Sequence, residues 1–295
     1  MRNLIPHFIY QQFEQQNESG HFQAAAMFVD VSGFTHLTET LMRYETDGAE
    51  VLADALNRIF APPVAQVYAN GGFISSFAGD AFMALFPFDV AQDDDTLWRA
   101  NRGWRVVHAA GTIRDFFIQN RHLETKYGQF EMGVKIGLSL GEVTWGVLGS
   151  GTRHTYFFRG VAIDACARAE GQADAGDVIA DEYIWTSIGD FLSAQSTAAA
   201  DVQSLDTIPP YYRLTGDFHR VVEARDTQSV PGSRTPPGLT RQALAHFVLD
   251  AVLDLVVAGA QAEFRQVAAV FISFEAPRLH GSLSDFATRV INTAT

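Results

Sequence analysis

The stretch AAAMFVDVSGF (residues 24–34) decides how this chain is read. An unbroken apolar run meets Asp30, and Gly33 follows three residues later, the pattern of a buried strand that stops at a tight polar turn. A helix is expected after the turn. From Asp47 to Asn70 the apolar positions Val51, Leu52, Ala55, Leu56, Ile59 and Phe60 recur at helical spacing, with Pro62 and Pro63 expected to kink or break the run. GGFISSFAGDAFMALFPF (71–88) then sets two apolar stretches on either side of Ala78-Gly79-Asp80, which predicts a hairpin with the Asp80 carboxylate at its tip.

Further along, residues 93–127 read as one long helix. FEMGVKIGLSLGEVTWGVLG (130–149) and RHTYFFRG (153–160) read as two or three strands, VAIDACARAEGQAD (161–174) as a short helix, and DVIADEYIWTSI (177–188) as a strand with a turn of helix. PPYYRLTGD (209–217) is expected to close the domain as an edge strand. Alternation of this kind predicts an α+β sandwich, one mainly antiparallel sheet covered by helices. The expected organisation is an N-terminal arm over 1–20, a domain over 21–217 and a linker over 218–240, whose stretch DTQSVPGSRTPPGLT (226–240) is rich in Pro, Gly, Ser and Thr without hydrophobic period.

Residues 241–295 begin to repeat the start of the chain. His246-Phe247-Val248 resembles His7-Phe8-Ile9, each triplet read as opening a short apolar helix, and QVAAVFISFE (266–275) resembles QAAAMFVDVS (23–32). Laid over each other, these strands put Ser273 on Asp30. The expectation is the helix and first strand of an incomplete second copy that has lost the acid.

Of the 295 residues, 47% are hydrophobic, enough for a sizeable core, and the formal net charge of −13 disfavours bulk attraction to nucleic acid or anionic lipid. Any anionic ligand needs a local site. Cys166 is the single cysteine, which rules out an intrachain disulfide or thiolate cluster and suggests a reducing compartment. The N-terminus does not read as a signal peptide, and FVLDAVLDLVVAGA (247–260) is too short for a membrane span and carries Asp250 and Asp254. A cytoplasmic protein with no membrane span and no nucleic-acid partner is expected.

Two carboxylates, Asp30 after a strand and Asp80 in a hairpin turn, converge if their strands are neighbours, and oxygen ligands on a rigid sheet suit Mg²⁺ or Mn²⁺. The turn Val31-Ser32-Gly33-Phe34-Thr35 leads into a helix, whose first N–H groups can hold phosphate oxygens. Together these describe a metal–triphosphate site. The alternative is that Asp30 caps a helix and Asp80 is an ordinary turn residue. Among the other polar features, the histidines show no ligand spacing, His154 reads as a loop residue, Gly149–Thr152 as a hairpin turn, and Cys166 as buried and inert.

MFVDVSGFTHLTE (27–39), GGFISSFAGDAFMALF (71–86), VKIGLSLGEVTWGVLG (134–149) and GVAIDACARAE (160–170) resemble, in order and spacing, the class III adenylate and guanylate cyclase catalytic domain. Within that family the chain is most similar to the soluble adenylyl cyclase type, with its tandem pair of cyclase domains. The resemblance implies a ferredoxin-like cyclase fold and an enzyme converting ATP to cyclic AMP and pyrophosphate with two Mg²⁺ or Mn²⁺ ions. It also implies an active site shared with a second cyclase domain, in the same chain or in a homodimer partner. Asp30 and Asp80 match the metal-binding aspartates, with the Val31 carbonyl as a further ligand. Ser32, Gly33, Phe34 and Thr35 match the phosphate turn, and Lys135 the basic residue placed against the triphosphate, where a lysine in a strand otherwise suggests an edge or surface position.

Asp164 and Arg168 fall on the family's NxxxR element, which orients the ribose and stabilises the pentavalent phosphorus. Arg168 is assigned either to catalysis or to the degenerate, symmetry-related cleft, and the plain reading is a surface arginine paired with Glu170 or a nearby aspartate. Ser76 stands where self-sufficient members carry a purine-selecting lysine, and Phe157 replaces the Asp or Thr that accompanies it. This domain therefore lacks the base-reading groups, and the missing lysine argues against activation by bicarbonate. Residues 1–295 alone are expected to be nearly inactive. A guanylate cyclase, a non-catalytic nucleotide-binding or dimerisation module, and an interaction domain whose aspartates are only caps are the competing readings.

Overall fold

A computed structural model describes residues 4–88, 96–150, 153–187, 202–215 and 239–257. Helix α1 (His7–Glu14) leads into β1 (Ser19–Ser32), followed by α2 (Phe34–Leu41), a short 3-10 turn and α3 (Glu45–Ala69). The hairpin β2 (Phe73–Ala78) and β3 (Ala81–Phe88) precedes α4 (Thr96–Gln119), a small hairpin β4 (His122–Thr125) and β5 (Gly128–Glu131), and the long pair β6 (Gly133–Ser150) and β7 (Arg153–Arg159). Next come α5 (Val161–Glu170), β8 (Val178–Asp181), a helical segment α6 (182–187), β9 (Val202–Leu205) and β10 (Tyr211–Leu214). Two short helices, α7 (Arg241–Leu244) and α8 (Asp250–Val257), complete the described residues.

The apolar run that opened the reading is the centre of the sheet. β1 is paired along its length with β6, from Ser19 opposite Gly146 to Ser32 opposite Gly133, and on its other side with β3, from Gln23 opposite Phe88 to Asp30 opposite Ala81. The strand order is β2-β3-β1-β6-β8-β10-β9, with β7 on the far half of β6, and β6–β8 is the one parallel pair among the described residues. Burial on both faces explains why residues 24–29 are a continuous apolar run rather than an alternating one. Met27, Leu37, Leu41, Phe82, Leu85, Ile113, Ile136 and Leu138 form the fully buried centre.

Helix α5 crosses β6 over small residues. A Cβ added at Gly137 would lie 2.1 Å from the Cys166 carbonyl oxygen and 2.3 Å from the Glu170 nitrogen, so helix and strand backbones touch there. Helix α4 lies against the opposite face, where Val134 and Phe117 border the same cavity. No helix among the described residues is long and apolar enough to cross a membrane.

Several sequence expectations are corrected. The helix expected over 93–127 stops at Gln119: the Asn120 side chain bonds the Phe116 carbonyl, and residues 122–131 form a hairpin that buries Leu123 against Phe130. Helix α3 runs through Pro62 and Pro63 instead of breaking, because burial of Ile59, Pro63 and Val67 on one face outweighs the two hydrogen bonds the prolines cannot donate. The PPYYRLTGD strand is internal, with β9 outside it. His154 lies in β7, not in a loop, with its ring against Phe13, His246 and Phe247.

His246-Phe247-Val248 does not open a helix either. The Phe247 and Val248 N–H groups both donate to the Leu244 carbonyl, closing a turn between α7 and α8. The proposed linker over 218–240 lies, except for its last two residues, outside the described residues, as does the repeated strand at 266–275.

Asp181 is the buried carboxylate of the sheet. It accepts the Ser139 hydroxyl and the Ile184 N–H, which caps the start of α6. Burial pushes its carboxyl up from 3.8, only partly offset by those donors and by the charge of Arg168. A carboxyl that holds its proton longer folded than unfolded loses folding free energy as pH rises through the interval above 3.8. Asp181→Asn keeps one acceptor oxygen for the Ile184 N–H, turns the other position into a donor toward the Ser139 hydroxyl, and does not ionise. Denaturant unfolding between pH 4 and pH 7 is therefore expected to show wild type losing stability relative to the variant as pH rises; parallel curves would show that burial of this charge costs nothing.

Candidate active site

Asp30 sits on the middle strand of three. Across β1–β3 its partner is Ala81, and the Val31 N–H donates to the Asp80 carbonyl at 3.1 Å, so the hairpin tip is fastened one residue beyond Asp30. Gly79 takes the turn with φ +65°, which delivers Asp80 to that position. Across β1–β6, Asp30 is directly opposite Lys135, and side chains of directly opposed residues share a face. The lysine therefore lies half-buried on an interior strand rather than at an edge.

The electrostatics report the same proximity. Burial, and then repulsion from Asp80, push the Asp30 carboxyl up, while Lys135 pulls it down. Glu170, at the end of α5, responds to the same group: burial raises it most, Asp30 raises it further and Lys135 lowers it. Sequence reading treated Glu170 only as a partner for Arg168. Helical phase was the signal available, since Ala162, Ala165, Cys166 and Ala169 are buried and Glu170 borders that face.

The turn after Asp30 has the geometry an anion site needs. Gly33 adopts φ +91° as the residue before α2, and no side chain caps the helix, which leaves its first N–H groups pointing outward. Phe34 is half-buried and Thr35 exposed. Asp30, Val31, Ser32, Gly33, Phe34, Thr35, Asp80 and Lys135 are thus gathered at one end of β1.

Asp164 and Arg168 are not part of that gathering. They are exposed one helical turn apart on α5, and Arg168 stands about 200° around the helix from Glu170, on the side that feels Asp181. Arg168 forms no ion pair among the described residues, so the pairing with Glu170 is not seen. Ser76 and Phe157, by contrast, do meet: with Ser75, Met83, Tyr156, Phe158 and Ile163 they line a cleft of about 260 Å³. Cys166 is fully buried beside Met83, and burial drives its thiol far above the ordinary range.

The donor set suits hard cations. Two carboxylates and a strand-end carbonyl offer oxygen only, and no group of three or more His, Cys, Asp or Glu is found among the described residues. A Mg²⁺ ion held there would complete its coordination with phosphate oxygens and water, as such ions usually do.

Two acids thus lie at one end of a central antiparallel pair, next to a helix N-terminus without a side-chain cap. The chain belongs to the adenylate and guanylate cyclase catalytic domain family, whose sequence model matches residues 17–199.

Rabbit adenylate cyclase type 10 is 33% identical over 180 residues, 60% of this chain and 11% of that protein. The human protein of that name is 27% identical over 274 residues, 86% of this chain and 16% of that one. The adenylate cyclase of Anabaena cylindrica is 30% identical over 149 residues, 49% of this chain and 26% of that protein. This chain thus spans about a tenth to a quarter of these relatives. Among solved structures, the guanylate cyclase domain of RhGC from Catenaria anguillulae in complex with GTP superposes with a TM-score of 0.50 at 20% identity, covering 66% of this chain and 98% of that one. A bacterial light-regulated adenylyl cyclase gives 0.52 at 20% identity, covering 75% and 62%. These two likenesses speak for the fold.

Proposed function

We propose that this domain is the metal- and triphosphate-binding half of an adenylate cyclase, forming cyclic AMP and pyrophosphate from ATP at an interface with a second cyclase domain. The observation that carries the reading is the juxtaposition of Asp30, Asp80 and Lys135 beside the uncapped N-terminus of α2. Asp30, Asp80 and the Val31 carbonyl would hold two Mg²⁺ or Mn²⁺ ions. Such ions, when bound, favour loss of the ribose 3′-hydroxyl proton and offset phosphate charge.

The chain's own groups bind and orient. The α2 N–H groups and Lys135 receive phosphate oxygens, a local positive site that a protein of net charge −13 requires. Ser76 and Phe157 offer no charged group to a purine, so base choice falls to the second domain. ATP is preferred over GTP because rabbit and human adenylate cyclase type 10 are among the relatives of this chain. Arg168 and Asp164, facing away from the metal pair, belong on this reading to the other, degenerate cleft.

The test is cyclic AMP formation from ATP and Mn²⁺ by the gene product that includes residues 1–295, against the same protein carrying Asp80→Ala and against residues 1–295 alone. Turnover is expected in the first and a fall of at least about 100-fold in the second, the loss typical when charge stabilisation of a reacting phosphate is removed. Little or none is expected from the third. Nucleotide binding without product in the first would favour a non-catalytic module, and strong turnover by residues 1–295 would refute the division between two domains.

A further inference from the structure

The β4–β5 hairpin is fastened at both ends. At its base, Arg121 Nε donates to Glu131 Oε1 at 2.8 Å, Nη2 donates to the same oxygen, and the Met132 N–H donates to the Arg121 carbonyl at 2.8 Å. At its tip, the Tyr127 hydroxyl and the Lys126 ammonium both reach the Asp47 carboxylate at the start of α3, and the Tyr127 ring stacks on Tyr44 with centroids 3.6 Å apart. Arg58 of α3 also donates to the Glu124 carbonyl at 3.0 Å. The hairpin is therefore a strut between the end of α4 and the start of α3.

The phosphate turn rests on this strut. A Cβ added at Gly33 would lie 2.1 Å from the Glu131 carbonyl oxygen and 3.5 Å from the Met132 Cα, and the His36 ring lies 5.6 Å from that of Phe130. Beyond Ser32 a cavity of about 280 Å³, bordered by Phe117, Ile118 and Met132, leaves the turn without a packed wall on that side. The strand carrying Lys135 begins two residues after Glu131, so the same peptide sets where both the turn and the lysine stand.

We infer that Arg121 and Glu131 are positioning residues for the triphosphate: their ion pair pins the Glu131–Met132 peptide against which the Gly33 turn is seated. They touch no ligand themselves. The inference rests on the phosphate-binding reading given above.

Arg121→Gln and Glu131→Gln are each expected to weaken Mn²⁺-dependent binding of a non-hydrolysable ATP analogue by about two- to fivefold, the range an exposed ion pair supports. In the nucleotide-free chain the protected amides of Leu37, which donates to the Gly33 carbonyl, and Met132, which donates to the Arg121 carbonyl, should exchange with deuterium faster by a similar factor. The charge-swapped double variant, Arg121→Glu with Glu131→Arg, should restore both. Unchanged affinity and exchange in the single variants would overturn the inference. So would faster exchange spread evenly over the sheet with a lower Tm, which marks a merely structural pair. If wild type binds no analogue, the phosphate reading fails, and local exchange at Leu37 and Met132 still decides whether the pair holds the turn.

Discussion

Asp30→Asn is expected to abolish metal-dependent nucleotide binding, by at least about 100-fold, while making the metal-free domain more stable. Asp30 carries its charge in a half-buried position beside Asp80, with Lys135 as the compensating cation. Without metal the fold opposes that charge. Asparagine keeps the shape and removes the repulsion, so melting in the presence of a chelator should rise by about 2–4 °C, the shift that about 1 kcal/mol produces in a domain this size.

Saturating Mn²⁺ and nucleotide analogue should reverse the order. A ligand present at about 100 times its dissociation constant stabilises by about 2.7 kcal/mol, a gain open to wild type and closed to the variant. Thermal melts with and without metal read both halves of the expectation. A variant that still gains from metal and analogue would show that Asp30 is not a ligand.

Gly137→Ala is expected to be among the most disruptive single methyl additions on the sheet. The added carbon would meet two backbone atoms of α5, at 2.1 and 2.3 Å, and backbone cannot swing aside as a side chain can. The helix must lift off β6. Overpacking of this severity costs about 3 kcal/mol, hence a Tm lower by about 6–12 °C. Because α5 carries Glu170 against the Asp30–Lys135 pair, affinity for the nucleotide analogue should fall with stability.

Gly141→Ala supplies the control. It lies under the same helix on the same strand, but there the nearest atom, the Ala162 nitrogen, is 3.4 Å away, so a change below about 1 kcal/mol is expected. Equal effects at the two glycines would mean that the close crossing at Gly137 is not what fixes α5.

The parts of the fold legible in sequence are those where local chemistry and burial agree. The 24–34 run is apolar because β1 is covered on both faces, and Gly79 announces its turn because that turn takes a positive φ. The β4–β5 hairpin was hidden: its strands have four residues each and its inward content is one pair, Leu123 with Phe130, too little for a period to declare itself. Pro62 and Pro63 misled because helix α3 is held by long-range packing that no local rule weighs.

The site divides along the same line. Asp30, Asp80 and the 31–35 turn stood out because acids and glycine interrupt apolar strands. Glu170 did not, since its nearness to Asp30 depends on how α5 crosses β6. His154 looked like a loop residue because Gly149–Thr152 marks a turn immediately before it, yet β7 starts at Arg153.

One contact bears on how signals from elsewhere would be received. The His154 N–H donates to the His246 carbonyl at 2.7 Å, and Ile5, Leu239, Leu244 and Leu253 share a small apolar cluster with Tyr10 and Tyr156. The N-terminal arm and the 239–257 segment are thereby bolted to the same strand. A few residues along that strand, Phe157 and Phe158 form the wall of the cleft that contains Ser76. β7 is therefore a lever with its handle at the two ends of the described chain and its working tip in the cleft. Tension on either segment has a short mechanical route to the cleft that contains Ser76.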